Sequence, residues 1–319
     1  MESNILDKIK SYQTIIIHRH HHPDLDAYGS QLGLKYAILN NYPDKNVYAV
    51  GDSGGYFTDA TMDVIADEVY HDALVIVVDT AVAHLISDDR YKLAKEVIVI
   101  DHHLNESDIN PSIFYSNPNL VSAAEMIVDL TIQWNFKINN EIATHLLAGM
   151  IGDSGRYLYI NPKNAQHIFK MSAYVSEFEP SIQQIYDFLF VEPLAKRIGK
   201  NKFSHFELTK HQVAYQINDL DKVKESGFDF MTVSRGMLGA MSGIKEVIIW
   251  ASFTENDEHK ILGELRSRYV DIVDIARKYG GGGHANACGC TLTSWEEVYK
   301  VINDLDERGS YYERTKTNI

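Results

Sequence analysis

The chain has 319 residues, 45% hydrophobic and 23% charged, the composition of a soluble globular protein with room for one large or two ordinary domains. Its 44 acidic and 30 basic side chains leave a formal net charge of −14, which argues against a protein that tracks long nucleic acid by its backbone, because that task calls for a basic stripe. No apolar run reaches the roughly 18 residues of a membrane span, and the N-terminus lacks the apolar core of a signal peptide. The two cysteines, Cys288 and Cys290, form neither a disulfide framework nor a four-cysteine zinc site, so a reducing, cytoplasmic setting without a membrane is expected.

In chain order, residues 14–17 predict a buried strand and 27–41 an amphipathic helix. Between them, residues 20–30 read HHHPDLDAYGS, which puts imidazoles and carboxylates on a loop at the carboxyl end of a strand. Open α/β sheets bind ligands at that edge. His20, Asp24 and Asp26 could converge there on Mn²⁺, Mg²⁺ or Zn²⁺. One loop cannot fill a coordination sphere, and taken alone it could equally be a solvated turn with a helix cap.

Residues 47–50 predict a short strand, followed by Gly51, Gly54 and Gly55. Residues 73–78, ALVIVV, end on Asp79, and residues 96–100, EVIVI, end on Asp101, His102 and His103. Continuous rather than alternating apolar runs indicate a parallel sheet buried on both faces. The expected first domain, residues 1–190, is therefore α/β with a doubly wound, mainly parallel sheet. Helices are expected over 123–134, 141–151, 164–175 and 181–189. A further carboxylate, Asp153, follows an apolar helix among Gly149, Gly152 and Gly155, with Arg156 three residues on.

Residues 191–210 turn basic and polar and read as a linker helix or hinge. A smaller α+β domain is expected over 211–319. Its strands are placed at 213–217, 246–253, 260–267 and 285–292, and its helices at 230–241, 271–279 and 294–304. A mobile tail is expected from 307. Cys288 and Cys290 share one strand face and read as small core residues. Gly280 to Gly283 and His284 form a GGGGH run without the GK[ST] of a P-loop. Such a run is often only a flexible loop. Placed before a strand, it can offer successive backbone N–H groups to an anion. Arg266, at the end of the preceding strand, adds a bidentate phosphate partner and Ser267 a hydroxyl. Arg268 is weaker because alternate strand residues face opposite sides.

HHHPDLDAYGS, VVDTA, DHH and GDSG, in that order, resemble the four motifs of the DHH phosphoesterase superfamily. LRSR followed by YGGGGHANACG resembles its DHHA1 domain. Any one motif is weak, but five in order over nearly the whole chain are specific. The two-domain length most resembles the nanoRNase branch. That resemblance implies hydrolysis of short RNA oligonucleotides and of 3′-phosphoadenosine 5′-phosphate in a cleft between the domains, by a hydroxide held on two divalent cations, Mn²⁺ foremost. His20 and Asp24 match ligands of one cation, and Asp26, His102 and Asp153 match ligands of the other. Asp79 matches the carboxylate shared by both. His103 matches a histidine that faces the phosphate, with Asp101 behind it. Gly281, Gly282, Gly283, His284, Arg266, Ser267 and Arg156 are the expected substrate contacts. His18, His21 and His22 are extra to the pattern. The partners implied are short RNA and nucleoside bisphosphates, not long duplexes; a homodimer is left open. A linear or cyclic dinucleotide phosphodiesterase is the nearest rival, and a non-catalytic nucleotide sensor is the rival of another class.

Overall fold

The structure, a computed structural model, describes residues 2–58, 61–104, 106–201 and 203–316. The chain divides into two compact units, Met1–Val191 and Glu192–Ile319.

The first unit is built on five parallel strands, β1 (Thr14–His18), β2 (Asn46–Ala49), β3 (Leu74–Val78), β4 (Glu96–Asp101) and β5 (Ile113–Ser116), in the order β2-β1-β3-β4-β5. Helices α1 (Glu2–Ser11), α2 (Leu25–Asn41), α3 (Ala123–Gln133), α4 (Asn140–Asp153), α5 (Ala165–Ser176) and α6 (Ile182–Phe190) complete it. One sheet face, through Ile15, Ile17, Ile76, Val78 and Ile98, packs into a core shared with these helices. The other face, through Ile16, Val75, Val77 and Val99, is covered by Tyr70, Ile86, Tyr91 and their neighbours. Both faces are therefore buried, as the continuous apolar runs required. The cover on the second face is made of short 3₁₀ turns rather than the α-helices expected between strands.

The chain order reverses between β1 and β3, and at such a switch point the loops leave a crevice at the carboxyl ends of the strands. Gln31 is fully buried and its amide bridges the carbonyls of Ile17 (2.6 Å) and Val50 (2.9 Å), tying the ends of β1 and β2 to α2. Helix α2 starts two residues before the expected position. Asp24 caps it by accepting from the backbone N–H of Asp26 and of Ala27, so Asp26 lies in the first helical turn and not on the loop.

The second unit carries α7 (Leu194–Asn201), β6 (Glu207–Leu208), β7 (Ala214–Asn218), α8 (Leu220–Ser226), α9 (Phe230–Ser234), β8 (Ile249–Glu255), β9 (Ile261–Ser267), α10 (Val273–Lys278), β10 (Gly282–His284), β11 (Ala287–Leu292) and α11 (Trp295–Lys316). Its six strands form a mixed sheet in the order β10-β11-β9-β8-β7-β6, parallel only between β7 and β8. Cys288 and Cys290 are buried free thiols in the core that α10 and α11 share with this sheet.

Several expectations are corrected here. The helix expected over 230–241 stops after Ser234 and resumes only as a 3₁₀ turn at Leu238–Ala240. The tail expected to be mobile from 307 continues α11 to Lys316, with Ser310 buried; residues 317–319 lie outside the described residues. The glycine run is half strand, because Gly282, Gly283 and His284 pair with Gly289, Cys288 and Ala287.

The closest helix crossing sits directly behind the sheet edge. A Cβ added at Gly29 of α2 would lie 2.5 Å from the His145 carbonyl oxygen and 2.8 Å from the Gly149 nitrogen, both backbone atoms of α4. Alanine would gain about 1 kcal/mol of helix propensity over glycine. Overpacking against backbone costs about 1–3 kcal/mol, with no flexible side chain to yield. Gly29→Ala is therefore expected to be destabilised or at best neutral, and Gly29→Val clearly destabilised, as read by the urea midpoint.

Candidate active site

Three strand ends and three helix ends meet at the crevice edge. From β1, the turn 20–22 holds His20 with Nδ1 against the His21 carbonyl (2.8 Å), which leaves Nε2 3.3 Å from Asp79 and 3.9 Å from Asp24. Asp79 follows β3 with φ +60, a left-handed conformation that aspartate tolerates better than most residues, and its N–H bonds the Ile100 carbonyl of β4. Such strain in a buried residue marks a place where geometry is over-determined. His102 follows β4, and its Nε2 lies 3.1 Å from Asp153, 3.4 Å from Asp79 and 3.9 Å from Asp26. Asp153 is the last residue of α4.

Asp26 is completely buried, and its two oxygens accept from the Ala123 and Ala124 N–H groups (2.6 and 2.9 Å) at the start of α3. Those are orphan donors of a helix N-terminus, whose dipole favours a carboxylate. Asp101 is also fully buried and accepts from His103 Nδ1 (2.8 Å) and the His103 N–H, which turns the other ring nitrogen away from it.

The side chains fall into three overlapping donor groups: His20 with Asp24 and Asp79; Asp26 with Asp79, His102 and Asp153; and Asp79 with His102 and His103. Within each group one donor atom per residue lies within 4.8 Å of the others, and Asp79 belongs to all three. Asp79 Oδ1 and His102 Nε2 are buried without a hydrogen-bond partner, an expense that a bound cation would offset. The donor set, hard carboxylates plus imidazole, suits Mn²⁺, Mg²⁺ or Zn²⁺. These residues fit a metal centre.

The N-terminal domain of the DHH family matches residues 14–150, and the DHHA1 domain matches residues 225–309. The chain is 33% identical over 313 residues to the bifunctional oligoribonuclease and PAP phosphatase NrnA of Bacillus subtilis, covering 96% of this chain and 98% of that one. It is 35% identical over 309 residues to the probable counterpart of Streptococcus mutans, covering 94% and 97%. The chain belongs to the DHH phosphoesterase family. It is thus a hydrolase with a DHH and a DHHA1 domain. The crystal structure of an exopolyphosphatase-related protein from Bacteroides fragilis shares the fold, with a TM-score of 0.84 at 23% identity over 96% of this chain and 95% of that one.

In the DHHA1 domain, Arg266, Gly281, Gly282, Gly283 and His284 line one open pocket of about 650 Å³, so the structure brings these expected residues together. Ser267 is not with them. It faces the other side of β9, buried, where its hydroxyl donates to the Val270 carbonyl and accepts from Asn286 Nδ2 (2.9 Å), locking the hairpin turn. Arg268 is spent on the carbonyls of Ile244 and Val247. Arg156 also departs from expectation. It is exposed, with its guanidinium 5.1 Å above the Phe190 ring rather than among the acids. Its left-handed backbone (φ +63) carries the side chain away from the direction that helical continuation would give.

Two charged residues of this pocket were not singled out from the sequence, Arg235 and Glu264. The period-2 rule puts Glu264 on the same face of β9 as Arg266 and could have found it. Nothing local marks Arg235, which arrives from the turn after α9. In the DHH domain, the sequence reading also missed Arg19. It is fully buried, stacks 4.4 Å from the Tyr28 ring, and donates to the His20 carbonyl and to Asp52.

The packed carboxylates govern protonation. Burial raises Asp26 well above the usual carboxylate range, with the Asp79 and Asp153 charges adding to it. Burial likewise lifts Asp153 to about 6. Burial alone would lower His102, but the Asp153 and Asp79 carboxylates beside it lift it to about 11; burial also opposes the charge on His20, and Asp79 lifts it to about 9. Burial would raise Asp79 too, yet the two imidazoles hold it near 2. Near neutral pH the cation-free histidines thus carry protons that a cation must displace. Mn²⁺ uptake is expected to release protons, and its affinity to fall as pH drops from 8 to 6. Calorimetry in buffers of different ionisation enthalpy reads both; proton uptake on binding would contradict this assignment.

Proposed function

We propose that this phosphoesterase hydrolyses short RNA oligonucleotides to mononucleotides and removes the 3′-phosphate of 3′-phosphoadenosine 5′-phosphate, with two divalent cations, Mn²⁺ foremost. The carrying observation is Asp79: one buried carboxylate is common to the donor group around His20 and to the groups around His102, as a two-cation phosphoesterase requires. The names of the curated relatives, which this chain matches over nearly their full length, point to the same two substrates.

Two cations in these groups would supply Lewis acidity, lowering the pKa of water toward 7 and neutralising charge on the phosphoryl group. The chain's own residues do the rest. His20 and Asp24 would hold one cation, Asp26, His102 and Asp153 the other, and Asp79 is common to both sets. The α3 N-terminus keeps Asp26 oriented. Asp101 orients His103 and, through that bond, raises its pKa, so the imidazolium form is favoured. His103, with its side chain 40% exposed, can then donate to a phosphoryl oxygen or to the leaving oxygen. In the DHHA1 domain, the pocket that Arg266, His284 and the glycine run line receives an anionic part of the substrate. The acidic net charge and absence of a basic stripe accord with short substrates.

The test is a panel in Mn²⁺: 5′-labelled RNA of two, five and twenty-four nucleotides, 3′-phosphoadenosine 5′-phosphate, cyclic di-AMP and pyrophosphate. The short RNAs and the bisphosphate should turn over fastest. Asp79→Asn and His102→Ala should each lower that turnover by more than about 100-fold, because each removes a donor from the shared cluster. Turnover of the cyclic dinucleotide alone would leave the metal centre standing and overturn the substrate. Full activity of Asp79→Asn in saturating Mn²⁺ would overturn the mechanism.

A further inference from the structure

The glycine-walled pocket of the second unit contains an ion triad, Arg235, Glu264 and Arg266. Glu264 is its centre, with a side chain only 6% exposed. One carboxylate oxygen accepts from Arg235 Nε at 2.6 Å, and the other lies 3.1 Å from a terminal nitrogen of Arg266. The two arginines are not equivalent. Arg266 is largely committed to the protein: its other terminal nitrogen donates to the carbonyls of Leu265 (2.9 Å) and Cys288 (3.4 Å), and its side chain is 26% exposed. Arg235 is held by Nε alone. Its side chain is 61% exposed, and among the described residues its two terminal NH₂ groups have no partner. A guanidinium anchored at Nε presents the parallel pair of N–H bonds that matches two phosphoryl oxygens.

A second observation points to a ligand at the same place. Gly281 and Gly283 are required by the hairpin, because an added Cβ would lie 2.0 Å from the Gly289 carbonyl oxygen in one case and 2.7 Å from that of Ala287 in the other. Gly282 is not. An added Cβ there meets no atom within 4 Å, and its φ lies outside the left-handed region. Neither packing nor backbone conformation calls for glycine at 282, yet the residue lines the pocket and leaves its backbone bare.

We propose that Arg235, not Arg266, is the side chain that grips a terminal phosphate monoester of the nucleotide substrate in this pocket, and that Glu264 is the positioning residue that aims it. Arg266 braces Glu264 from the other side. Gly282 keeps open the space that the phosphate enters. The proposal deepens the phosphoesterase reading and rests on it for the kind of substrate, but the pocket's ligand can be tested apart from hydrolysis.

The test compares two probes, the 5′-phosphorylated dinucleotide pApA and its 5′-hydroxyl counterpart ApA. Binding is measured by calorimetry on the full chain without added metal, and steady-state hydrolysis is measured in Mn²⁺. Wild type should bind pApA more tightly than ApA. Arg235→Ala should weaken pApA binding about tenfold or more, the loss of a charge-assisted pair of hydrogen bonds, and leave ApA unchanged. In hydrolysis the same loss should appear in KM for pApA, with kcat within about twofold. Arg235→Lys should not restore it, since a point charge lacks the paired N–H geometry. Glu264→Gln should weaken pApA binding less than Arg235→Ala. Gly282→Val should keep the thermal midpoint of the wild type and lose the preference for pApA. Equal affinity of wild type for the two probes, or an Arg235→Ala protein that keeps the preference, would overturn the proposal. A protein that hydrolyses nothing in the panel yet loses the pApA preference on Arg235→Ala would instead refute the functional reading and leave this assignment intact.

Discussion

Mutual repulsion among buried carboxylates is the constraint on which the first unit depends. Asp26, Asp79 and Asp153 all lie within 4 Å of one imidazole, His102. Carboxylates this close and this buried cannot all stay ionised without positive charge between them. In the cation-free protein that charge comes from His20 and His102, lifted to about 9 and 11. The α3 N-terminus adds the partial positive charge of two backbone N–H groups on Asp26. The fold is built to keep the repelling groups together: Gln31 joins two strand ends, Gly29 lets α2 approach α4, and the left-handed backbone at Asp79 points one carboxylate at both histidines. Repulsion of this kind in the absence of a cation is what a bound cation would relieve.

The second unit uses the same physics with the sign reversed. There a buried carboxylate, Glu264, keeps two guanidinium groups side by side in a pocket with a glycine wall. Without it the arginines would repel each other and spread into solvent. With it, one guanidinium is fixed and the other is aimed. In each unit a group of one charge organises groups of the other, and the partly satisfied members are the ones left to meet a ligand.

Much of this was legible in the sequence because each signal was local. An apolar run ending in Asp79, and another ending in Asp101, His102 and His103, declare strand ends at one sheet edge, and all of the expected metal-binding side chains do meet there. The errors have local causes as well. The helix after Asp24 begins two residues early because the aspartate caps it, which moves Asp26 from a loop to a helix. Val233 and Met241 share an apolar helical spacing, yet Gly236 and Gly239 interrupt the helix between them. Helix α1 gives only a weak sequence signal, because among its described residues only Ile5 and Ile9 are fully buried. The GGGGH run looked like a loop, but two of its glycines are there for strand pairing, where any side chain would strike the partner strand.

By itself the sequence determined which chemistry is available: hard oxygen and imidazole donors at the ends of parallel strands, in motifs specific enough to indicate a phosphoesterase. It determined this because ligand types and strand periodicity are properties of short segments. Tertiary structure alone decided which donors share an ion, that Ser267 is occupied in a turn, that Arg156 lies on an aromatic ring, and that Arg235 joins Glu264 across 29 residues of chain. Those pairings depend on how far apart in sequence two segments can be and still meet in space, and no local pattern records that distance.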